Sequence, residues 1–260
     1  MARFQLFEWE DQPWFPKRLR HYMVDYLDFL AGLSAKPFEA IAAKIGSALD
    51  KTKVYHLVDL CSGSGGPIEQ LLGLLRTARP PTVVLTDLFP NTAAFERVHQ
   101  RSQGRIGFER GPVDAGRVPE RLTGFRTLFN SFHHFKPVMA RRILRDCVDK
   151  RQGIAVVEVV SRSAPAILSV IINSLLLFLV TPFIKPFSPG RLIFTYLVPA
   201  VPACILWDGL VSCLRVYSLS ELDALIEPDM RAAFEWETGK CYLGNSPFYV
   251  TYLIGVPGPG

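Results

Sequence analysis

The sequence predicts an α/β protein built on a doubly wound, mostly parallel sheet, and three observations carry that expectation. Short apolar runs rich in β-branched residues alternate with segments of helical length. A glycine-rich turn follows the first such run, at His56-Leu-Val-Asp-Leu-Cys-Ser-Gly-Ser-Gly-Gly-Pro67. Polar residues recur where the apolar runs end, and in an open α/β sheet that rim is where ligands bind.

Each element has its own reason. An aromatic segment, Phe7 to Pro16, leads into helices expected over Lys17–Leu33 and Pro37–Leu49, so that 1–50 reads as an aromatic and helical cap on a main domain of 51–260. Val54–Leu60 is the first strand. Gly63, Gly65 and Gly66 can take backbone angles closed to other residues, and Pro67 suits the first turn of a helix running to about Arg76. The second strand is expected over Pro81–Leu88, a helix over Asn91–Arg101, the third strand within Ile106–Ala115 and a short helix over Val118–Leu122. A fourth strand over Arg126–Phe135, a helix over Lys136–Lys150 and a fifth strand over Ile154–Val160 continue the alternation. Ser218 is placed to cap a helix to Leu225, and Phe234–Trp236 with Phe248–Leu253 make the last two strands.

The turn after the first strand aims backbone N–H groups and the positive end of a helix dipole at a ligand. A dinucleotide fingerprint would need a third small residue at position 68, which is Ile, and a phosphate loop would need a lysine after Gly66. Neither is present. Taken alone, the turn is also compatible with a generic strand-to-helix connection. Asp59 followed by Cys61, Gly63 and Gly65 at alternate positions resembles the first motif of class I S-adenosylmethionine-dependent methyltransferases, with Cys61 where that family has its first glycine. The resemblance extends by motif over about residues 53–160. It implies a Rossmann-like sheet of seven strands, six parallel and one antiparallel, and S-adenosyl-L-methionine as cofactor. It also implies cofactor contacts from Asp59, Cys61, Ser62, Gly63 and Gly65. Asp87 with Leu88 would meet the ribose, Asp114 with Ala115 the adenine, and Asn130 and Ser131 lie at the fourth strand's end. An ionised carboxylate accepts two donors and a ribose diol offers two, which is the chemistry asked of Asp87.

Methyl transfer needs an acceptor held in line and, for many acceptors, a proton removed. His133 and His134, just past the fourth strand, are the base candidates because imidazole titrates near neutrality; packing against Phe132 and Phe135 is the plainer role for either. Glu158 is a charge in an apolar strand, so it needs a partner or a pocket, with Arg162 and Arg215 as possible partners.

A hydrophobic insertion, 163–206, interrupts the alternation after the fifth strand. Ser163 to Ile184 carries no charge, which is enough apolar chain to reach across a bilayer. A single crossing would split the sheet. A second uncharged stretch, Leu192–Trp207, contains Pro199 and Pro202 and suits a spanning helix poorly. A buried helix or subunit interface, a monotopic dip into lipid and a lid over an apolar pocket remain open, with Lys185 and Arg191 at the turn favouring the dip. Asp208-Gly209 reads as a turn that brings Arg215 and Tyr217 to a pocket, and Trp14 and Phe15 as an aromatic cover over the acceptor, or else a staple for the next helix.

Composition bounds the rest. At 260 residues with 49% hydrophobic content the chain can bury a large core. The net charge of +5 comes from dispersed basic residues, which argues against nucleic acid as a partner. The five cysteines are odd in number and none is spaced Cys-x-x-Cys, so reduced thiols are expected and no metal-ligand spacing is present. The amino terminus lacks a signal-peptide core, and a cytoplasmic protein, peripheral or monotopic on the inner face of a membrane, is expected. The expected function is methyl transfer from S-adenosylmethionine to a lipophilic small molecule or lipid. The alternative is a membrane-associated adenosylmethionine-binding protein with a regulatory or other role.

Overall fold

Successive residues of a strand face opposite ways, and β1 (His56–Leu60) uses both faces. Leu57 joins a core with Ile41, Ile45 and Leu71, while Val58 and Leu60 join another with Ile143, Leu144 and Cys147. In the computed structural model, which describes residues 2–33 and 36–258, the remaining strands are β2 (Thr82–Leu85), β3 (Ile106–Phe108), β4 (Phe125–Phe129), β5 (Ile154–Glu158), β6 (Phe234–Tyr242) and β7 (Tyr249–Pro257). They form one sheet in the order β3-β2-β1-β4-β5-β7-β6. β1 to β5 pair in parallel, and β7 runs antiparallel between β5 and β6. This is the expected arrangement of six strands one way and one the other. β4 and β5 are buried along their whole length, as the middle of a two-faced sheet demands.

The helices are α1 (Lys17–Gly32), α2 (Lys36–Thr52), α3 (Gly66–Leu74), α4 (Thr92–Arg101), α5 (Pro137–Asp149), α6 (Ala164–Val180), α7 (Pro189–Leu192), α8 (Ala200–Arg215), α9 (Leu219–Asp223) and α10 (Pro228–Ala233). Two compact units divide the chain: 35–159 with 217–260, which holds the sheet, and 1–34 with 160–216, which is helical. α2 therefore belongs to the sheet unit and α1 to the helical one, where the sequence reading grouped both in 1–50. Its Phe38, Ile41, Ile45 and Leu49 are buried in the sheet's own core.

Several boundaries differ from expectation. The fourth strand stops at Phe129, because Asn130 turns left-handed at φ 50° and sends the chain into a 3-10 turn over Phe132–His134. The fifth strand ends at Glu158, and Val118–Leu122 is turn rather than helix. The final hairpin is longer than its apolar run suggested, since polar residues such as the half-buried Thr238 and the exposed Lys240 extend β6. Ser218 does cap α9, in a capping box with Glu221.

In the helical unit, Phe15, Met23 and Tyr26 pack with Leu177, Ile184, Val201 and Ile205. The Tyr26 hydroxyl donates to the carbonyl of Asn173, and burial raises its pKa to about 12. Asp208-Gly209 is not a turn but lies inside α8. A Cβ on Gly209 would sit 2.7 Å from Cγ1 of Val170, so glycine is there to let α8 approach α6 closely. Asp208 is buried and accepts from the N–H groups of Trp9 (2.8 Å) and Glu10 (3.2 Å), which ties the N-terminal segment to α8. Burial, the larger effect, raises its carboxyl to about 7 against those two bonds.

Candidate functional site

The carboxyl ends of β1, β2, β4 and β5 bring most of the expected polar residues to one rim of the sheet unit. After Leu60 the chain passes through three left-handed positions, Cys61 (φ 56°), Gly63 (φ 57°) and Gly65 (φ 81°). The first is where the motif has glycine; a side chain there costs roughly 1 kcal/mol. Gly65 is required by packing, since its Cβ would meet Cδ1 of Leu85 at 2.8 Å. Gly63 is different: a Cβ there would meet nothing within 4 Å, so the loop presents open backbone to a ligand. Gly65 caps α3, and Pro67 sits in its first turn, so the helix's positive end lies at the loop.

Asp87, two residues beyond β2, accepts from the N–H of Gly63 (2.9 Å) through one oxygen and from the N–H of Phe89 (2.8 Å) through the other. It joins the first loop to the second. Ser62 is buried and its N–H donates to the carbonyl of Thr86 at 2.9 Å, which fixes the same two loops together. Leu88 beside Asp87 is 50% exposed, an apolar side chain facing outward at the rim. Asp114 is exposed and accepts from the N–H of Gly116 (2.8 Å), whereas Ala115 is buried in the core and offers packing rather than a polar contact.

Two expected contacts turn out to be used within the protein itself. Asp59 is buried, 3% exposed, and accepts from the Thr127 hydroxyl at 2.6 Å. Burial raises its carboxyl to about 7, opposed by hydrogen bonds from Thr127 and Ser62 and reinforced by the charge of Asp87. Asn130 accepts from the N–H of Val159 (2.7 Å) with its side chain and stitches β4 to the end of β5. Ser131 is buried beside the Cys61 thiol, whose pKa is pushed well up by burial and the carboxylates of Asp87 and Asp59. That keeps Cys61 a neutral thiol. Thr127 escaped the sequence reading because its link to Asp59 depends on the register of β1 with β4.

At the end of β5, Glu158 grips His133. Its Oε1 accepts from the backbone N–H of His133 (3.0 Å) and its Oε2 lies 2.8 Å from Nδ1 of the same residue, both side chains being buried. Glu158 thus takes its partner from the fourth strand's end and not from Arg215, which pairs instead with Asp11 (2.6 Å) and Glu8 (3.1 Å). The ring of His134 stacks on that of His133 with centroids 4.4 Å apart. A carboxylate at Nδ1 fixes the tautomer that carries its proton there and its lone pair on Nε2.

The four residues expected to meet the acceptor are dispersed by role. Phe15 is a core residue of the helical unit, not a cover; Trp14 beside it is 66% exposed and meets Trp9 edge-on. Arg215 is buried in the ion pairs just described. Tyr217 is buried against Phe132 and donates its hydroxyl to the carbonyl of Phe135 at 2.7 Å, so its phenol is already used. A concavity of about 740 Å³ lies at the opposite rim, lined by His56, Thr123, Gly124, Lys150 and Gln152 near the strands' amino ends, away from the glycine-rich loop.

Comparison with solved structures places this architecture. The plantazolicin methyltransferase BpumL, in complex with SAH, matches over 96% of this chain and 93% of its own, with a TM-score of 0.56 at 12% identity. The plantazolicin methyltransferase BamL, in complex with a triazolic desmethylPZN analog and SAH, matches over 95% and 92%, at 0.54 and 12%. The fold is the class I methyltransferase fold. The pyocyanin biosynthetic protein PhzM matches over 85% of this chain at a TM-score of 0.50 and 15% identity. The chain spans about half the length of PhzM (54%) and of the O-methyltransferase NcsB1 (53%). No family profile and no curated protein matches the chain.

Proposed function

We propose that this chain is an S-adenosylmethionine-dependent methyltransferase acting on a lipophilic small molecule or lipid, with His133 as general base. The observation that carries the reading is the buried Glu158–His133 pair on the same rim as an open, left-handed glycine loop. Bound SAH in BpumL and in BamL, which share the fold, supports the choice of cofactor.

The residues present suit that cofactor. Gly63 leaves space where a side chain would block approach, Asp87 supplies two acceptor oxygens for a diol, and the exposed Leu88 and Phe89 offer apolar surface for a flat ring. Asp114 is the exposed acceptor for an exocyclic amine. When bound, the sulfonium supplies an activated methyl group, and the protein's own task is to align the acceptor and take its proton. His133 does this through Nε2. Glu158 holds the ring in one orientation and stabilises the imidazolium that results, while its second oxygen on the His133 N–H keeps the pair from rotating. An apolar acceptor is favoured by the composition of the insertion that precedes the return to β6.

Calorimetry with S-adenosylhomocysteine tests the cofactor half. Wild type is expected to bind, and Asp87→Ala to lose about tenfold or more of that affinity, by removing charge-assisted acceptors worth ~1.5–3 kcal/mol. Absence of heat with the cofactor on folded protein refutes the reading. Binding without methylated product from any lipid or phenol extract would favour a regulatory cofactor-binding protein.

A further inference from the structure

We propose that the outward face of α6, together with the tip that follows it, docks on the surface of an anionic lipid bilayer. This inference stands on the helical unit alone and is independent of methyl transfer. Leu168, Ile172, Leu175 and Leu179 are 57%, 55%, 64% and 70% exposed, and their spacing of four, three and four residues sets them on one side of the helix. The other side is already occupied: Ala166, Ser174, Leu177 and Thr181 are buried, Leu177 in the core with Met23 and Tyr26. A helix on a water-facing surface carries polar residues on its outer side, but this one has no charge from Ser163 to Ile184. The apolar surface continues through Phe183 and Leu197, which are 71% and 78% exposed. A patch of this extent on a soluble monomer marks a binding surface.

Lipid is favoured over a protein partner by the chemistry of the patch. Every exposed side chain from 168 to 183 is apolar, whereas protein interfaces carry about one hydrogen bond per 100–200 Å². The unit's charges complement anionic headgroups. Lys17, Arg18 and Lys185 are exposed, while Glu8, Glu10, Asp11, Asp25, Asp28 and Asp208 are all buried or half-buried. Arg191, expected at the turn with Lys185, is instead buried, with its guanidinium on Asp25 (2.8 Å) and on the carbonyls of Ile184 (2.6 Å) and Pro186 (2.8 Å).

The same contacts decide that the insertion lies on the membrane and does not cross it. Ala164–Phe183 is long and apolar enough to span by length and composition alone. The chain leaves the sheet at β5 and returns to it at β6 and β7, so any crossings must be even in number. The returning leg, Pro189–Leu197 with Ala200–Arg215, is bent by 76°. The Arg191–Asp25 pair clamps the tip to α1, which bears exposed Lys17, Arg18 and His21 and cannot follow into hydrocarbon at reasonable cost. Face-on docking buries the leucines and leaves Lys17 and Arg18 at the headgroups.

The test is flotation of the full chain with vesicles of phosphatidylcholine alone and of an equal mixture with phosphatidylglycerol. The chain is expected to float with the mixed vesicles and much less with the neutral ones. The double variant Leu175→Glu/Leu179→Glu should cut partitioning at least tenfold. Lys17→Gln, Arg18→Gln and Lys185→Gln should each cut it about fivefold, the factor corresponding to one basic residue at an anionic surface. Should the double variant misfold, hydrogen exchange on wild type decides: residues 168–179 should slow when mixed vesicles are added. A wild-type chain that remains in the aqueous fraction with both vesicles, or unchanged exchange over 168–179, overturns the proposal. So does a lipid-free dimer that Leu175→Glu/Leu179→Glu converts to monomer, which would assign the face to a second copy.

Discussion

In the sheet unit β4 and β5 bury every residue from Phe125 to Phe129 and from Ile154 to Glu158, whereas α6 in the helical unit buries Leu177 to 1% exposure and leaves Leu175, two positions away, at 64%. The sheet has helices on both faces, so an apolar run finds partners whichever way its side chains point. A helix in a single layer finds them on one side only. Polar groups divide in the opposite sense. The sheet unit gathers them at its rim, in Asp87, His133 and Glu158, while the helical unit buries Arg191, Arg215 and Asp208 as internal clamps. An apolar run is therefore closed into a core in the one unit and left with an open face in the other.

The comparison breaks most visibly if chemistry does not reside on the sheet rim. His133→Ala is expected to lower turnover about a hundred- to ten-thousand-fold while leaving S-adenosylhomocysteine affinity within about threefold, by steady-state kinetics beside calorimetry. Equal loss of binding and turnover would mean that the histidine only packs. Next in size, the two sides of α6 can be set against each other. Leu177→Glu should cost about 3–5 kcal/mol in denaturant unfolding because it buries an unpaired charge, and Leu175→Glu no more than about 0.5 kcal/mol. Similar costs at both positions would erase the distinction between the two faces.

Asp59 sharpens the comparison through pH. Its folded pKa of about 7 lies above the 3.8 of an ordinary aspartate, so between those values the folded state holds more protons than the unfolded. Its stabilising contribution is complete below about pH 4 and is lost as pH rises to 7. Asp59→Asn keeps an acceptor for Thr127 and should flatten that decline, leaving the variant ~2–4 kcal/mol better placed at pH 8 than wild type when both are referenced to pH 4. A parallel decline in both proteins would show that Asp59 ionises freely. The smallest effect belongs to Cys61→Gly, which removes a side chain from a φ of 56° and should add about 1 kcal/mol in thermal unfolding without changing cofactor affinity.

Much of this was legible before folding. Asp59, Cys61, Gly63 and Gly65 at alternate positions announced the loop, because left-handed backbone and close approach leave few residue types eligible. That Asp87 and the His133–His134 pair would lie beyond the ends of β2 and β4 was legible because the apolar strand runs stop just before them. What failed was anything resting on a partner distant in sequence. Asp208-Gly209 carried the local signature of a turn, yet a helix absorbed both, one to hold two N–H groups of the N-terminal segment and the other to admit Val170. Phe15, Arg215 and Tyr217 looked like pocket residues and became core, ion pair and phenol tether, since an aromatic or a charge has the same local pattern in either role.

By itself the sequence determined the alternation of strand and helix, the glycine loop and the apolar character of 163–206, because periodicity and backbone permissiveness act over a few residues. Tertiary structure alone decided that Glu158 holds His133, that Thr127 holds Asp59 and which leucines of α6 are left outside. Those outcomes depend on strand register and on which helix face meets a neighbour, and both are set by contacts between residues far apart in the chain.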